Sequence, residues 1–351
     1  MKTRIYPAHP AHPVKLILAF VPVLFLSIPV SSAPWWWAQF TAGDGVNSSN
    51  SQFERWNSFV LKQANDATDT AYVCSFTWGS ADIGSVNGIN GASTAGLNGV
   101  SAAGGRPTYL IADGDGGAGL ANAQGLSDAN VTDVTEAAGG GIMHIKDAYA
   151  ANRGYLISSA NHTAGGYNSQ NNNAIYFRAS QLPAMMQKVE NQMYEMSKGT
   201  FHDASAYGTI NFYSPYGDTV ELRYSPEDNN GGSTTGSANI LGRLAQLANK
   251  AKESIFYMID GFSSSVATTN LSTEIINNNA VTILGCGGAG TDWDATIQGN
   301  FEANHTHRNE AGAFNRLHSK VMIVDMEIVA TGSPNFTSEV ESPVRPPTRN
   351  W

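Results

Sequence analysis

Apolar residues in this chain arrive mostly in short runs. Ala71-Tyr72-Val73-Cys74-Ser75-Phe76, Pro107-Thr108-Tyr109-Leu110-Ile111, Ala174–Phe177, Ser254–Ile259, Ala280–Leu284, Val321–Val324 and Ile328–Ala330 are each bounded by polar or Gly-rich sequence. Runs of this length, rich in β-branched and aromatic residues, predict buried strands. A helical period appears in three places. Leu241, Leu244, Leu247 and Ala248 mark one helix, and Phe59, Val60 and Ala64 mark another. Gln181 to Lys198 forms a third, with Met185, Met186, Val189, Met193 and Met196 as an apolar stripe that reads as core rather than as a lipid surface. The order helix, strand, strand precedes a further paired apolar run in both halves, which predicts two similar α/β lobes.

The segments between these elements set the boundaries. Residues 1–33 read as a signal peptide: Lys2, Arg4 and Lys15 are basic, Leu16 to Val30 is an apolar run of 15 residues, and Ser31-Ser32-Ala33 is small. The run falls short of the roughly 20 residues of a spanning helix. The expectation is therefore a secreted or secretory and lysosomal lumenal protein. A signal-anchored protein is the alternative, with Trp35-Trp36-Trp37 as an interfacial belt and Pro34 disfavouring cleavage. Residues 34–54 read as an irregular N-terminal segment, 55–200 as lobe one, 201–237 as the inter-lobe connection and 238–351 as lobe two. Gly79 to Gly105 is low in apolar residues and predicts a long surface loop. Lobe two is C-terminally short: 37 residues separate Asn161 from Lys198 in lobe one, but only 16 follow Asn335, and Val344-Arg345-Pro346-Pro347 is no helix interior. A closing strand and helix are expected to be missing there.

Charge and cysteine narrow the picture. The formal net charge is −9, and loss of Lys2, Arg4 and Lys15 with the leader takes it to −12. No dense Lys/Arg run exists, which argues against non-specific nucleic-acid binding by a basic face. Cys74 and Cys286 both fall at or beside core strands; buried free thiols are the preferred reading, and a disulfide between the lobes is the other. Sequons at Asn47, Asn130, Asn270 and Asn304 fit a eukaryotic secretory route and a glycoprotein. His162, His202 and the His305-x-His307 pair have no partners at metal spacing and read as loop histidines. Gly114-x-Gly116-x-x-Gly119 matches a dinucleotide fingerprint in count only, within Gly-rich sequence.

The chemistry lies in a repeated unit. MHIKDAYAANRGYLISSANHT and LHSKVMIVDMEIVATGSPNFT begin 174 positions apart. His144, Lys146, Ser159 and Asn161 in the first match His318, Lys320, Ser333 and Asn335 in the second, at separations of 2, 15 and 17 from each His. Two imidazoles facing one phosphodiester divide the work: one attacks phosphorus, the other protonates the leaving oxygen and then activates water. Two Lys and two Asn would hold the non-bridging oxygens and stabilise the pentacoordinate state. The ammonium groups supply the positive charge, so neither a metal nor a cofactor is expected. Alternation in His-x-Lys puts both side chains on one face of a strand. Gly332-Ser333 would be a tight turn that lets backbone approach phosphate, with Asn335 just past it.

His318-x-Lys320-x4-Asp325 with Gly332-Ser333-x-Asn335 resembles the HKD motif of the phospholipase D superfamily. The first copy is degenerate, with Ala151 at the Asp position and Ser158 at the Gly position. The resemblance implies an α/β, two-lobed phospholipase D-like pseudo-dimer, each lobe a mixed sheet flanked by helices, with the active site at the lobe seam. It implies a metal-independent phosphodiester hydrolase acting through a phosphohistidine. His144 would be the nucleophile, His318 the acid and base, Lys146, Lys320, Asn161 and Asn335 the phosphate ligands, Ser159 and Ser333 substrate-binding residues, and Asp325 an orienting residue of the catalytic set. The implied partner is a phosphodiester, phospholipid or nucleic acid, with phospholipid slightly favoured by the acidic surface and with contact to a membrane surface. A secretory or lysosomal nuclease is the alternative. A catalytically dead phosphate- or lipid-binding member of a different class is the third reading. The chain is expected to be a monomeric pseudo-dimer.

Overall fold

The computed structural model describes residues 36–40, 70–77, 108–113, 130–133, 143–161, 166, 170–198, 210–224, 240–263, 266–278, 282–288, 293–304, 306–309 and 317–336. The helix expected around Phe59, the Gly79–Gly105 loop and the signal segment lie outside the described residues. The apolar runs fold as expected. In lobe one, β2 (Ala71–Ser75) pairs in parallel with β3 (Thr108–Ala112), and β3 with β4 (Asn130–Asp133). On its other side β2 pairs antiparallel with β5 (Asp147–Ala150), which continues through β6 (Gly154–Ser158) to β7 (Asn173–Arg178). The seven-stranded order is β1-β7-β6-β5-β2-β3-β4.

One part of the sequence reading needs correction. Trp36–Phe40, read within an irregular segment, is the edge strand β1, paired antiparallel with β7 from Trp36↔Phe177 to Phe40↔Asn173. The aromatic residues cover a sheet edge, so their composition did not by itself mark a strand. The inter-lobe connection contains the hairpin β8 (Asn211–Tyr213) and β9 (Thr219–Glu221).

Lobe two repeats the inner part of this arrangement. β10 (Ser254–Ile259) pairs in parallel with β11 (Thr282–Gly287), and β11 with β12 (Thr306–Asn309). β13 (Lys320–Val324) and β14 (Ile328–Thr331) add antiparallel on the other side of β10. The order β12-β11-β10-β13-β14 mirrors β4-β3-β2-β5-β6. Among the described residues lobe two has no counterpart of β7 or β1.

Each sheet is backed by helices whose apolar stripes the spacing marked. After a 3₁₀ turn at Ala179–Gln181, α1 (Pro183–Met196) starts with Pro at its first position, where the missing N–H costs nothing. Its Met185, Met186, Val189, Met193 and Met196 are buried against Tyr72, Cys74, Tyr149 and Phe177. In lobe two, α2 (Ile240–Asn249), α3 (Val266–Ile276) and α4 (Ala295–Asn304) surround Ile255, Tyr257 and Ile259. Both cysteines are free thiols. Cys74 is buried, with its Sγ 3.2 Å from Met193 Sδ, whereas Cys286, expected to be buried, is exposed because alternate side chains of β11 point away from the core. The turn from β5 to β6 needs Gly154: its φ is +155°, and an added Cβ would lie 2.0 Å from Phe177 O.

Asp147 lies in the lobe-one core on the face opposite Lys146. Its carboxylate accepts a hydrogen bond from Tyr155 Oη, which in turn accepts one from Tyr224 Oη at 2.8 Å, tying the connection to the lobe. Burial pushes the Asp147 carboxyl up to about 7 despite these donors and the Lys146 charge. A carboxyl raised in the folded state favours folding below its ordinary value of 3.8 and loses that advantage as pH rises through about 7.

Two outcomes follow from this packing. Met193→Ala is expected to cost about 2–5 kcal/mol and Met193→Leu under about 1.5 kcal/mol, measured by urea unfolding. Asp147→Asn should match the parent at pH 4 and become the more stable chain above pH 7, with the gap opening by about 1.4 kcal/mol per pH unit between. Equal stability of the two chains at pH 8 would contradict a raised carboxyl.

Candidate active site

Both His-Lys pairs stand at the start of the strand after the lobe's central one, His144 and Lys146 leading into β5 and His318 and Lys320 into β13. In each pair the ammonium folds back on its own histidine: Lys146 Nζ donates to His144 O at 2.7 Å and Lys320 Nζ to His318 O at 2.7 Å. Both lysines are buried. Burial pushes the Lys146 ammonium well below its ordinary value, and the Lys320 charge pushes it further down; Asp147, Asp260 and Asp113 only partly offset this. The two buried lysines thus meet at one seam, near enough for the Lys320 charge to act on Lys146.

Asparagines 171–173, just ahead of β7 and at its start, hold the seam closed. The Asn171 carbonyl accepts the His318 N–H at 2.8 Å and the Ser319 hydroxyl at 3.0 Å. Asn172 Oδ1 accepts from Ser159 Oγ at 2.9 Å and from His318 Nδ1 at 2.8 Å. Asn173 Oδ1 accepts the Lys320 N–H at 2.9 Å, and its Nδ2 donates to Thr331 Oγ1. The return contact runs from His144 Nδ1, which donates to the Ser333 carbonyl at 3.0 Å. Nothing in the sequence pattern singled out the Asn171-Asn172-Asn173 triplet, since Asn runs ordinarily mark loops; its position directly ahead of a predicted strand was the available signal.

Three further residues were not anticipated. Asp260, directly after β10, lies 3.3 Å from Lys320 Nζ and 3.6 Å from His318 Nε2. Phe76, directly after β2, stacks obliquely on the His144 ring at 5.2 Å between centroids, and its ring is 5.6 Å from Lys146 Nζ. Asp113, at the end of β3, accepts the Met143 N–H at 2.6 Å and so fixes the entry to His144. Behind Asp260, Phe262 sits in a cluster with Trp293, Phe301 and Phe336, and Trp293 Nε1 donates to Asp260 O at 3.0 Å. Phe336 N–H donates to Gly261 O at 3.0 Å, which sets the backbone beside Asn335.

The structure brings His144, Lys146, Ser159, His318, Lys320 and Ser333 into one network. Ser159, expected to bind substrate, spends its hydroxyl on Asn172 and also accepts the Asn173 N–H at 3.0 Å. Ser333 takes part through its carbonyl. Asn161 and Asn335, past the ends of β6 and β14, each carry a buried Oδ1 with no hydrogen-bond partner. That cost is ordinarily relieved by a ligand or water donor. Asp325, placed with the catalytic set by the sequence, is elsewhere. It occupies the β13–β14 turn with φ 53°, followed by Met326 at φ 55°, the left-handed pair of a tight hairpin. Its carboxylate accepts backbone N–H groups of Lys252, Glu253 and Ser254 at 2.7–3.0 Å, at the end of β13 remote from Lys320. Burial alone would raise this carboxyl; the three N–H donors and the Lys252 charge outweigh it and hold it below its ordinary value. Among the described residues no group of three or more His, Cys, Asp or Glu could hold a metal ion, and no helix is long and apolar enough to cross a membrane.

No family model and no curated protein sequence matches the chain. Solved structures do. The phosphatidylserine synthase of Haemophilus influenzae Rd KW20 aligns at a TM-score of 0.57 with 11% identity, over 87% of this chain and 79% of that one. The polyphosphate kinase of Porphyromonas gingivalis aligns at 0.49 with 9% identity, and this chain, 83% of it covered, spans 44% of that one. Nuc from Salmonella typhimurium, a phospholipase D family member, covers 47% of this chain with 95% of its own length, at 13% identity and a TM-score of 0.33. The mixed α/β lobes share the fold of that phosphatidylserine synthase.

An Asp325→Asn variant is expected to lose about 1 kcal/mol of stability at neutral pH. A carboxyl lowered in the folded state contributes above its ordinary value and loses that contribution as pH falls through its folded one, so the deficit should shrink below pH 4. Thermal unfolding at pH 7 and pH 3 reads both; a constant deficit would contradict a clamp that depends on the charge.

Proposed function

We propose that this chain is a phospholipase D-like, metal-independent phosphodiesterase that works through a phosphohistidine on His144. The observation that carries the reading is the meeting of both His-Lys pairs at one hydrogen-bonded seam, with Lys146 and Lys320 both buried. Burial first and the Lys320 charge second depress Lys146, and an anionic group bound between the lysines would offset both. His144 donates Nδ1–H to a carbonyl, which can only accept, so in the neutral ring the lone pair sits on Nε2. That nitrogen attacks phosphorus, the P–O bond to the leaving group breaks, and His318 Nε2 gives the leaving oxygen its proton. His318 then takes a proton from water, whose oxygen displaces His144 from phosphorus. The lysines and the amides of Asn161 and Asn335 hold the non-bridging oxygens as charge builds on them.

For the substrate we favour a phospholipid over a nucleic acid. The net charge of −9 supplies little long-range attraction for a polyanion. A secretory or lysosomal nuclease is the alternative, and a steep loss of turnover with salt would identify it. The leader-like residues 1–33 support a secretory route, with the protein a monomeric pseudo-dimer.

Turnover of bis(p-nitrophenyl) phosphate in EDTA tests the chemistry. Retention of activity in EDTA is expected, with losses of roughly 10²-fold or more in His144→Ala and in His318→Ala. Activity surviving in either variant would sink the two-histidine assignment; binding without turnover in the folded parent would identify a phosphate-binding protein instead.

A further inference from the structure

We propose that Asp260 is a positioning residue that holds His318 as an imidazolium, and that it thereby adapts this site to phosphodiesters with basic leaving groups of the alkoxide class. The proposal rests on the phosphodiesterase reading above. The two half-sites match in His, Lys, Ser and Asn, and one of the places where they differ touches both the His and the Lys. The residue directly after the central strand is Phe76 in lobe one and Asp260 in lobe two. Each touches the His and the Lys of its own lobe. The Phe76 ring lies against His144 and Lys146, whereas the Asp260 carboxylate lies 3.6 Å from His318 Nε2 and 3.3 Å from Lys320 Nζ.

The partners then set different charge states on the two rings. His144 donates Nδ1–H to the Ser333 carbonyl and meets an aromatic face where His318 meets a carboxylate. His318 donates Nδ1–H to Asn172 Oδ1. That amide is oriented by its own Nδ2, which donates to Gly166 O at 2.6 Å, and by the Ser159 hydroxyl, which donates to the same Oδ1. With Nδ1–H committed, the carboxylate facing Nε2 favours a second proton there. The other charged neighbours among the described residues do not supply this. Lys320 and Lys146 oppose a cation, Asp113 holds the Met143 N–H, and Asp147 is bonded to Tyr155 on the opposite face of β5.

The consequence is chemical selectivity. A weakly basic oxyanion such as p-nitrophenolate leaves without a proton, so a standing acid gains little on such an ester and gains more as the leaving oxygen becomes more basic, as with unsubstituted phenolate. An alkoxide does not leave without one, so the same acid is worth most there. The proton travels from His318 Nε2 to the leaving oxygen as the P–O bond breaks, and no further reactant is needed.

The test is the dependence of kcat/KM on leaving-group basicity, across methyl aryl phosphodiesters from p-nitrophenyl to unsubstituted phenyl. The wild-type chain should show a shallow dependence. Asp260→Asn should show a steep one, with the phenyl ester losing roughly tenfold or more beyond the loss on the p-nitrophenyl ester, and with the alkaline limb of its pH profile moved to lower pH. Asp260→Glu should restore the shallow dependence. Parallel dependences in the wild type and Asp260→Asn overturn the proposal while leaving the phosphodiesterase standing. A steep dependence in the wild type itself overturns it whether or not Asp260→Asn folds. Absence of turnover by the wild type on every ester removes the phosphodiesterase reading, and this proposal with it.

Discussion

Burying two lysine side chains at one seam is the constraint to which the rest of this structure is fitted. An ammonium removed from water costs several kcal/mol unless partners replace the solvent. Here the replacement is unequal. Each Nζ gains its own histidine carbonyl, but only Lys320 gains a carboxylate in contact, and Lys146 has an aromatic ring in the matching place. The lobe-two lysine has the closer counter-charge, and under the proposed function the lobe-one half-site is the part that an arriving anion would complete. Rigid surroundings keep the pair from relaxing apart. The Met stripe of α1 backs one sheet, the Phe262 cluster fixes the backbone on either side of Asp260, and the Asn171–Asn173 triplet joins the lobes.

Much of the fold was legible because strand and helix leave different periods in sequence. Ser254–Ile259 is one of the apolar runs and one of the strands without change at either end, and the Met stripe of α1 is buried residue for residue. Trp36–Phe40 was missed because its Trp run, next to a leader-like segment, reads as well as an interfacial belt. Cys286 was misjudged because half of the positions on β11 face away from the core. Of the site, the repeat exposed those residues whose spacing is kept twice. Phe76, Asp260 and Asn172 have no such twin, and only three-dimensional proximity reveals them. Asp325 shows the opposite error: it shares a sequence motif with His318 and Lys320, yet a strand carries it to the far turn, where its charge serves backbone N–H groups.

The asymmetry between the half-sites bears on what duplication leaves behind. The matched positions supply parts that both sides of a phosphodiester need alike: a ring nitrogen, a cation, an amide. Under the proposed function, the unmatched positions would decide which side acts in which role, with one aromatic residue set against one carboxylate at the corresponding place.

The seam also has a temporal side. His318 receives its hydrogen-bond acceptor from a residue 146 positions earlier, and His144 receives its own from one 189 positions later. Both histidines depend on contacts of very high contact order, which form only after long loops have closed. A chain emerging during synthesis can complete the lobe-one sheet and its helix and still hold both rings unoriented. Competence at this site is thus a late event of folding, set by the docking of two finished halves rather than by the formation of either.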